Sequence, residues 1–276
     1  MQRRTRDQPD ADSLRDLLLW TETRRMRARH RLLLDHAAVP AAQTRMPGTV
    51  IELERLTGDL LRFVLAKPPG FTFLPGDSVR LEVEGVRRRY SILSAPHEPH
   101  LEFFVELVPG GRMSAHFRTL RQGSRLTIAA EARKGLRLDG AARRHLMLAT
   151  VTGINPFVSI LRDAVHRGRR GLGCVVIHGA SYHDEFGYRA ELRALAETRP
   201  DLLFYVPTVS RPEEERNRLW RGATGRVEMQ VDALRTRFDL TPADTAVYAC
   251  GNPGMIDGVR QKFEGLGYRF YEEAYK

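Results

Sequence analysis

Cysteine occurs only at positions 174 and 250 of the 276 residues, each time inside an apolar run. That scarcity argues against a disulfide framework, and it leaves too few thiolates for an iron-sulfur cluster, which takes about four within one chain. Long apolar runs are missing as well. Nothing approaches the roughly 20 consecutive apolar residues of a membrane-spanning helix. The first ten residues are polar and charged, without the apolar segment of a secretory signal, so the expected location is cytoplasmic. The nine histidines show no metal-ligand spacing, and no Ser/His/Asp arrangement stands out, so no metal is expected. Acidic excess is lacking too: 44 Lys and Arg, nearly all arginine, stand against 34 Asp and Glu, for a net charge of +10 spread along the chain. Such a balance attracts nucleic acid, anionic lipid or an acidic protein, and charge alone does not choose among them.

What is present divides into three stretches. Residues 13–35 carry Leu14, Leu17, Leu18, Met26 and Leu32 to Leu34 between arginines, with Ser13 and Asp16 spaced like a capping box. This predicts a helix, followed by a linker over residues 41–47. From 48 to 139 short alternating runs are punctuated by Gly, Pro and Asp, which predicts an antiparallel barrel or sandwich interrupted by one helix starting at Ser114. After 140, strands and helices alternate, as in a parallel sheet covered on both faces, with ligands at the carboxyl ends of its strands. The expected domains are an N-terminal extension (1–46), a barrel (47–139) and an α/β domain (140–276).

Several segments carry chemistry. Arg88-Arg89-Tyr90-Ser91 puts a cation, an aromatic ring and a hydroxyl on one strand, with Arg88 and Tyr90 on the same face. An arginine forks onto a pyrophosphate and a tyrosine ring covers a flat heterocycle. Gly110-Gly111-Arg112-Met113-Ser114 leads into a helix whose first N–H groups lack internal partners, an anion site or, more plainly, a capped helix start. Thr150-Val151-Thr152-Gly153-Ile154-Asn155-Pro156 joins a strand to a helix at the place of a phosphate loop. Ser210-Arg211 follows another strand and offers a hydroxyl and a guanidinium together. Cys250-Gly251-Asn252-Pro253 closes a third strand at the same edge. Read singly, these are also an edge strand, an N-cap and a small buried thiol.

Taken in order, the segments resemble the ferredoxin-NADP reductase family in its bacterial form, over about residues 48–276. Arg88 to Ser91 resembles the RxYS flavin motif, and Gly111, Met113 and Ser114 the helix-start loop for the FAD pyrophosphate. Thr150 to Pro156 resembles TGTGxxP. Ser210 and Arg211 with Arg226 resemble a 2′-phosphate site, Cys250-Gly251 to Met255 the CGxPxM loop, and Glu273-Ala274-Tyr275 the terminal acid and aromatic. Val151 stands where the family usually has glycine, and Ser181 where it has arginine, in His178-Gly179-Ala180-Ser181.

The resemblance implies an FAD-binding β-barrel domain followed by an α/β NADP-binding domain, with FAD and NADP(H) as cofactors. Tyr90 and Tyr275 would cover the flavin faces, Arg88 and Ser114 bind its pyrophosphate, and Ser91 lie near its N5. Thr152, Gly153, Pro156 and Gly251 would border the nucleotide, with Cys250 and Glu273 beside the nicotinamide. The implied partner is an acidic one-electron carrier, ferredoxin or flavodoxin, and no nucleic acid is expected. Two other functions fit the residues. One is a reductase of the same build that feeds an oxygenase or reduces free flavin. The other is a non-enzymatic flavin-binding protein with a basic recruitment helix, and the partner of that 13–35 helix stays open.

Overall fold

A computed structural model describes residues 45–275. These form one compact unit, and the expected helix at 13–35 lies outside the described residues. Six antiparallel strands come first: β1 (Arg45–Arg55), β2 (Leu60–Ala66), β3 (Ser78–Val83), β4 (Val86–Ser91), β5 (His100–Glu106) and β6 (Arg125–Ala129), paired in the order β4-β3-β6-β1-β2-β5. Beyond the end of β4, Leu93 N donates to Glu102 O of β5 at 2.9 Å, which nearly closes the sheet into a barrel. Inward alternation fills it with Phe63, Phe103, Leu81 and Ile128, all essentially unexposed. Helix α1 (Arg112–Thr119) plugs one end, its Phe117 ring 5.2 Å from that of Phe63.

Two local expectations are corrected. Residues 45–47, read as linker, belong to β1, where Arg45, Met46 and Pro47 pair with Ala129, Ile128 and Thr127 of β6. Pro47 is tolerated because β1 pairs with β6 only over its first half and with β2 only beyond an irregularity near Val50, so the proline faces one neighbour. Helix α1 starts two residues earlier than expected. Its N-cap is Gly111, and Ser114 is the third helical residue.

The second sheet is parallel, ordered β10-β9-β8-β7-β11-β12. Its strands are β7 (Arg144–Thr150), β8 (Cys174–Ala180), β9 (Leu203–Val209), β10 (Ala223–Thr224), β11 (Thr245–Gly251) and β12 (Arg269–Ala274). The central strands β8 and β11 are buried along their whole length, as continuous apolar runs covered on both faces must be. Met147, Val176 and Tyr248 face α2 (Asn155–His166) and α3 (Arg189–Thr198). Leu148, Ile177 and Val247 face α4 (Val227–Arg237) and α5 (Pro253–Phe263). The chain leaves β7 toward β8, β9 and β10 and returns to β11 on the other side of β7, so the strand order reverses between β7 and β11. A ligand crevice belongs there.

Barrel and sheet share a polar seam. Glu102 of β5, 2% exposed, takes Arg62 Nε at 2.5 Å, Arg162 Nη1 at 2.6 Å and the Tyr188 hydroxyl at 3.0 Å. Burial would raise this carboxyl, but the two guanidiniums hold it below its ordinary range. A buried carboxylate with full partners fixes orientation more than it adds stability, so the seam sets how β5 and α2 meet beside the cleft.

Candidate functional site

A cleft of about 1140 Å³ runs from β4 and the start of α1, past the carboxyl ends of β7, β11 and β12, to the loops after β8 and β9. Of the residues singled out in the sequence, Arg88, Tyr90, Ser91, Gly111, Met113 and Ser114 line its barrel side. Thr152, Ser210, Arg211, Arg226 and Gly251 line the sheet side, with Glu273 and Tyr275. Cys250, Gly153 and Pro156 do not line it. Cys250 is unexposed and packs with Tyr275. Burial, and then the nearby Glu273 carboxylate, push its thiol well up, so it is neutral and no nucleophile. Gly153 is needed for packing: a Cβ there would lie 2.1 Å from Cys250 O. Pro156 opens α2 from a buried position.

On the barrel side the Tyr90 ring packs on Phe117 at 5.3 Å, and burial raises its hydroxyl well above the usual range. Arg88 is exposed and donates only to Arg87 O, at 2.9 Å; among the described residues no carboxylate pairs with it. Next to it, α1 begins at Gly111 with no side-chain cap. The N–H groups of Arg112, Met113 and Ser114 are therefore without intrahelical partners. A Cβ on Gly111 would sit 3.0 Å from Ser114 Oγ and 3.1 Å from Val108 O, so glycine keeps this cradle open.

At the centre, residues far apart in sequence converge. The buried Ser91 hydroxyl donates to Glu273 Oε1 at 3.3 Å, and the Tyr275 hydroxyl lies 3.2 Å from Ser91 Oγ and 3.4 Å from Thr152 O. β12 aligns with β11 so that Glu273 sits beside Cys250, and Tyr275 N donates to Gly251 O at 3.0 Å. Burial raises the Glu273 carboxyl above its usual range, against the pull of Ser91 and Arg89, and Oε2 is buried without a partner. A partly buried acid whose pKa is raised, next to a hydroxyl on a cleft wall, is placed to exchange a proton.

The sheet side is built from turns that need particular backbones. Gly251, at φ +126°, approaches Thr150 so closely that a Cβ would lie 2.2 Å from Oγ1. That hydroxyl accepts Asn252 N at 2.8 Å, and Asn252 itself caps α5 through Gly254 N. Between β7 and α2 a 3₁₀ turn (Val151–Ile154) opens with Val151 at φ +41°, a left-handed conformation rare for a β-branched residue. At the far end Arg226 is exposed at the start of α4, and Arg211 Nη1 lies 3.0 Å from the Tyr182 hydroxyl and 3.3 Å from Glu214. Arg216 stacks on the Tyr182 ring at 4.2 Å. Glu185 Oε2 accepts Ser181 N and Tyr182 N, at 2.9 and 3.0 Å.

Sequence reasoning did not single out Tyr182, Glu185, Glu214 or Asn252 for this site. The last carried a signal, an asparagine before proline at a helix start; Glu185 closes a local turn on Ser181 and Tyr182, and Tyr182 meets Glu214 only in space. Donor chemistry fits two anionic dinucleotides. An uncapped helix start beside an unpaired arginine suits one pyrophosphate, and two arginines with a serine at the other end suit a phosphate monoester.

Comparison with known proteins agrees. Residues 47–133 match the oxidoreductase FAD-binding domain and residues 147–261 the oxidoreductase NAD-binding domain. The chain is 32% identical to ferredoxin--NADP reductase B of Sorangium cellulosum, over 74% of this chain and 84% of that protein. It is 30% identical to the electron transfer component of 2-halobenzoate 1,2-dioxygenase of Burkholderia cepacia, over 83% of this chain and 66% of that longer protein. Among solved structures, a ferredoxin NADP+ reductase from Neisseria gonorrhoeae with bound FAD and NADP superposes with a TM-score of 0.72 at 26% identity, covering 84% of this chain and 98% of that one. The fold and cleft thus define a flavoprotein oxidoreductase with FAD-binding and NAD(P)-binding domains. The chain belongs to the ferredoxin-NADP reductase family.

Proposed function

We propose that this protein exchanges electrons between NADPH and a small acidic one-electron carrier of the ferredoxin or flavodoxin kind. The observation that carries the reading is one cleft with arginines and other donors at two separate ends and the Ser91, Glu273 and Tyr275 cluster between them. Bound flavin supplies the conversion between two-electron and one-electron transfer. The chain supplies position and protons. Arg88 and the free N–H groups of residues 112–114 hold the FAD pyrophosphate, with Gly111 keeping the approach open and Met113 and Ser114 at its border. Tyr90 and Tyr275 cover the two faces of the ring system.

Glu273, whose carboxyl burial raises above its usual range, exchanges a proton by way of the Ser91 hydroxyl, 3.3 Å away. Ser210, Arg211 and Arg226 take the 2′-phosphate, and Thr152 and Gly251 border the rest of the nucleotide. Tyr275 yields its place when the nicotinamide enters, which brings that ring toward the buried Cys250. The arginine excess favours encounter with an acidic carrier.

A second reading, supply of electrons to an oxygenase, is favoured by the likeness to the dioxygenase electron transfer component. The test is a comparison of acceptors. The purified protein, yellow from FAD alone, should reduce ferredoxin or flavodoxin with NADPH faster than it reduces free flavin. Faster reduction of free flavin, or of an oxygenase component, would replace the carrier reading. A colourless protein that cannot be reconstituted with FAD would remove the flavin assignments altogether.

A further inference from the structure

The backbone of Val151 is held in an unfavourable shape by a residue that does not line the cleft. Val151 begins the turn after β7 at φ +41°. A β-branched side chain there crowds its own peptide, a strain of the kind that persists only where the surroundings impose it. The surroundings are His178, on the adjacent strand β8, whose Nε2 lies 2.8 Å from Val151 O. A carbonyl only accepts, so Nε2 carries the proton. Nδ1 is then the acceptor, and it receives the Tyr205 hydroxyl at 3.0 Å. The imidazole is unexposed, and the edge-on Phe186 ring at 5.0 Å holds it from another side.

The direction of the Val151 carbonyl fixes the next donor. The peptide is trans, as all are among the described residues, so the Thr152 N–H points opposite to Val151 O. With the carbonyl turned back toward His178, that N–H faces the side on which Val151 and Thr152 line the cleft. A second, capped helix start lies beside it: the donors of Gly254 and Met255 are taken by Asn252 Oδ1. The Thr152 N–H is thus the donor at this edge whose direction depends on His178.

We propose that His178 is a positioning residue for the dinucleotide: it pins the Val151 carbonyl, holds the turn in its left-handed start, and so keeps the Thr152 N–H aimed at the nucleotide pyrophosphate. This rests on the reading of the α/β half as the NADP site. Glycine would take the same backbone shape unaided; with valine in place, the histidine supplies what the side chain opposes. Burial holds the imidazole neutral, with Nε2 free to donate only to the carbonyl, which keeps the support constant around neutral pH.

Isothermal titration of the full-length holoprotein with NADP+ and with 2′-AMP tests this, because 2′-AMP carries the monoester but no pyrophosphate. His178→Phe keeps a ring in the pocket and removes the donor. It should weaken NADP+ about tenfold, the scale of one released backbone strain, and leave 2′-AMP within about twofold. Adding Val151→Gly should restore most of the lost NADP+ affinity. Unchanged NADP+ affinity in His178→Phe, equal loss for both ligands, or no rescue by glycine overturns the proposal and leaves His178 a core residue. A natural protein that binds neither ligand overturns the nucleotide reading itself, and this proposal with it. Should His178→Phe not fold, thermal melts of Val151→Gly and Val151→Ala decide. Glycine above alanine supports a turn held left-handed, and alanine above glycine overturns it.

Discussion

The Tyr275 hydroxyl lies 3.2 Å from Ser91 Oγ, although 184 positions separate the two residues in sequence. Ser91 ends a barrel strand and Tyr275 follows the edge strand of the parallel sheet, so the contact ties the two halves at the centre of the cleft. It also places Glu273, 3.3 Å from the same serine, where a proton can leave or enter between the halves.

That placement makes Glu273 a residue whose removal should raise stability and lower activity. Burial raises its folded pKa above the unfolded value, so the folded state binds more protons in that interval. Its contribution is present at low pH and is lost as pH rises through the folded pKa. Glu273→Gln should therefore melt higher than the parent at pH 7 and no higher at pH 4. Turnover should fall about a hundredfold or more, as for loss of a general acid. A variant equally stable at both pH values, with normal turnover, makes Glu273 an ordinary strand residue.

Two buried histidines set a different pH window. Burial pushes both His145 and His178 down to about 4 from an ordinary 6.5. For groups depressed in this way the unfolded state binds protons first, so stability is complete above pH 6.5 and is lost as pH falls toward 4. Each is worth on the order of 3 kcal/mol across that interval. Urea unfolding at pH 7, 5.5 and 4.5 should show a decline that begins near 6.5, and His145→Gln should flatten it. A free energy constant down to pH 5 contradicts the neutral assignment.

On the sheet side of the cleft, Arg211 is already engaged by Glu214 at 3.3 Å. If Arg211 takes the 2′-phosphate as proposed, Arg211→Ala should weaken NADPH about tenfold and spare NADH, because it removes one charge-assisted hydrogen bond. Glu214→Gln should do the reverse and tighten NADPH about twofold to threefold, since the carboxylate competes for the same guanidinium. Equal losses for both nucleotides in Arg211→Ala mean that the arginine supports Tyr182 instead.

Much of this architecture was legible in the residues, and the reasons are local. Short alternating runs with Gly and Pro between them marked the first sheet, and β8 and β11 announced a buried parallel sheet by continuous apolar residues. Cleft-lining residues at strand ends were legible because small residues such as Gly251 gather where backbones come close. What escaped depends on contacts between distant segments. Tyr182 and Glu214 meet across the loops after β8 and β9, and nothing in their spacing signals it. The strain at Val151 was hidden for the opposite reason: valine suggests a strand, and only the fold turns it left-handed. Pro47 misled in the same way, since its place in β1 depends on having a single partner strand.

Tyr275 offers the sharpest separation of alternatives, because its ring and its hydroxyl make separate contacts. Its ring packs with the core beside Cys250, and its hydroxyl reaches Ser91 and Thr152 O, so it is anchored at both ends. If the ring covers the flavin, it stands in the space of the nicotinamide, and nucleotide binding costs the lost stacking, about 1 kcal/mol. Tyr275→Ser should then tighten NADP+ about fivefold and slow turnover, as when a ground state is stabilised more than the transition state. Tyr275→Phe keeps the ring and loses only the hydroxyl contacts, so it should retain most of the turnover and the parent's NADP+ affinity. Titration of NADP+ into each oxidised variant, followed on the flavin band, separates the two roles. If Ser and Phe behave alike, the hydroxyl contacts and not the ring govern access. If neither differs from the parent in affinity or turnover, Tyr275 has no part in the site.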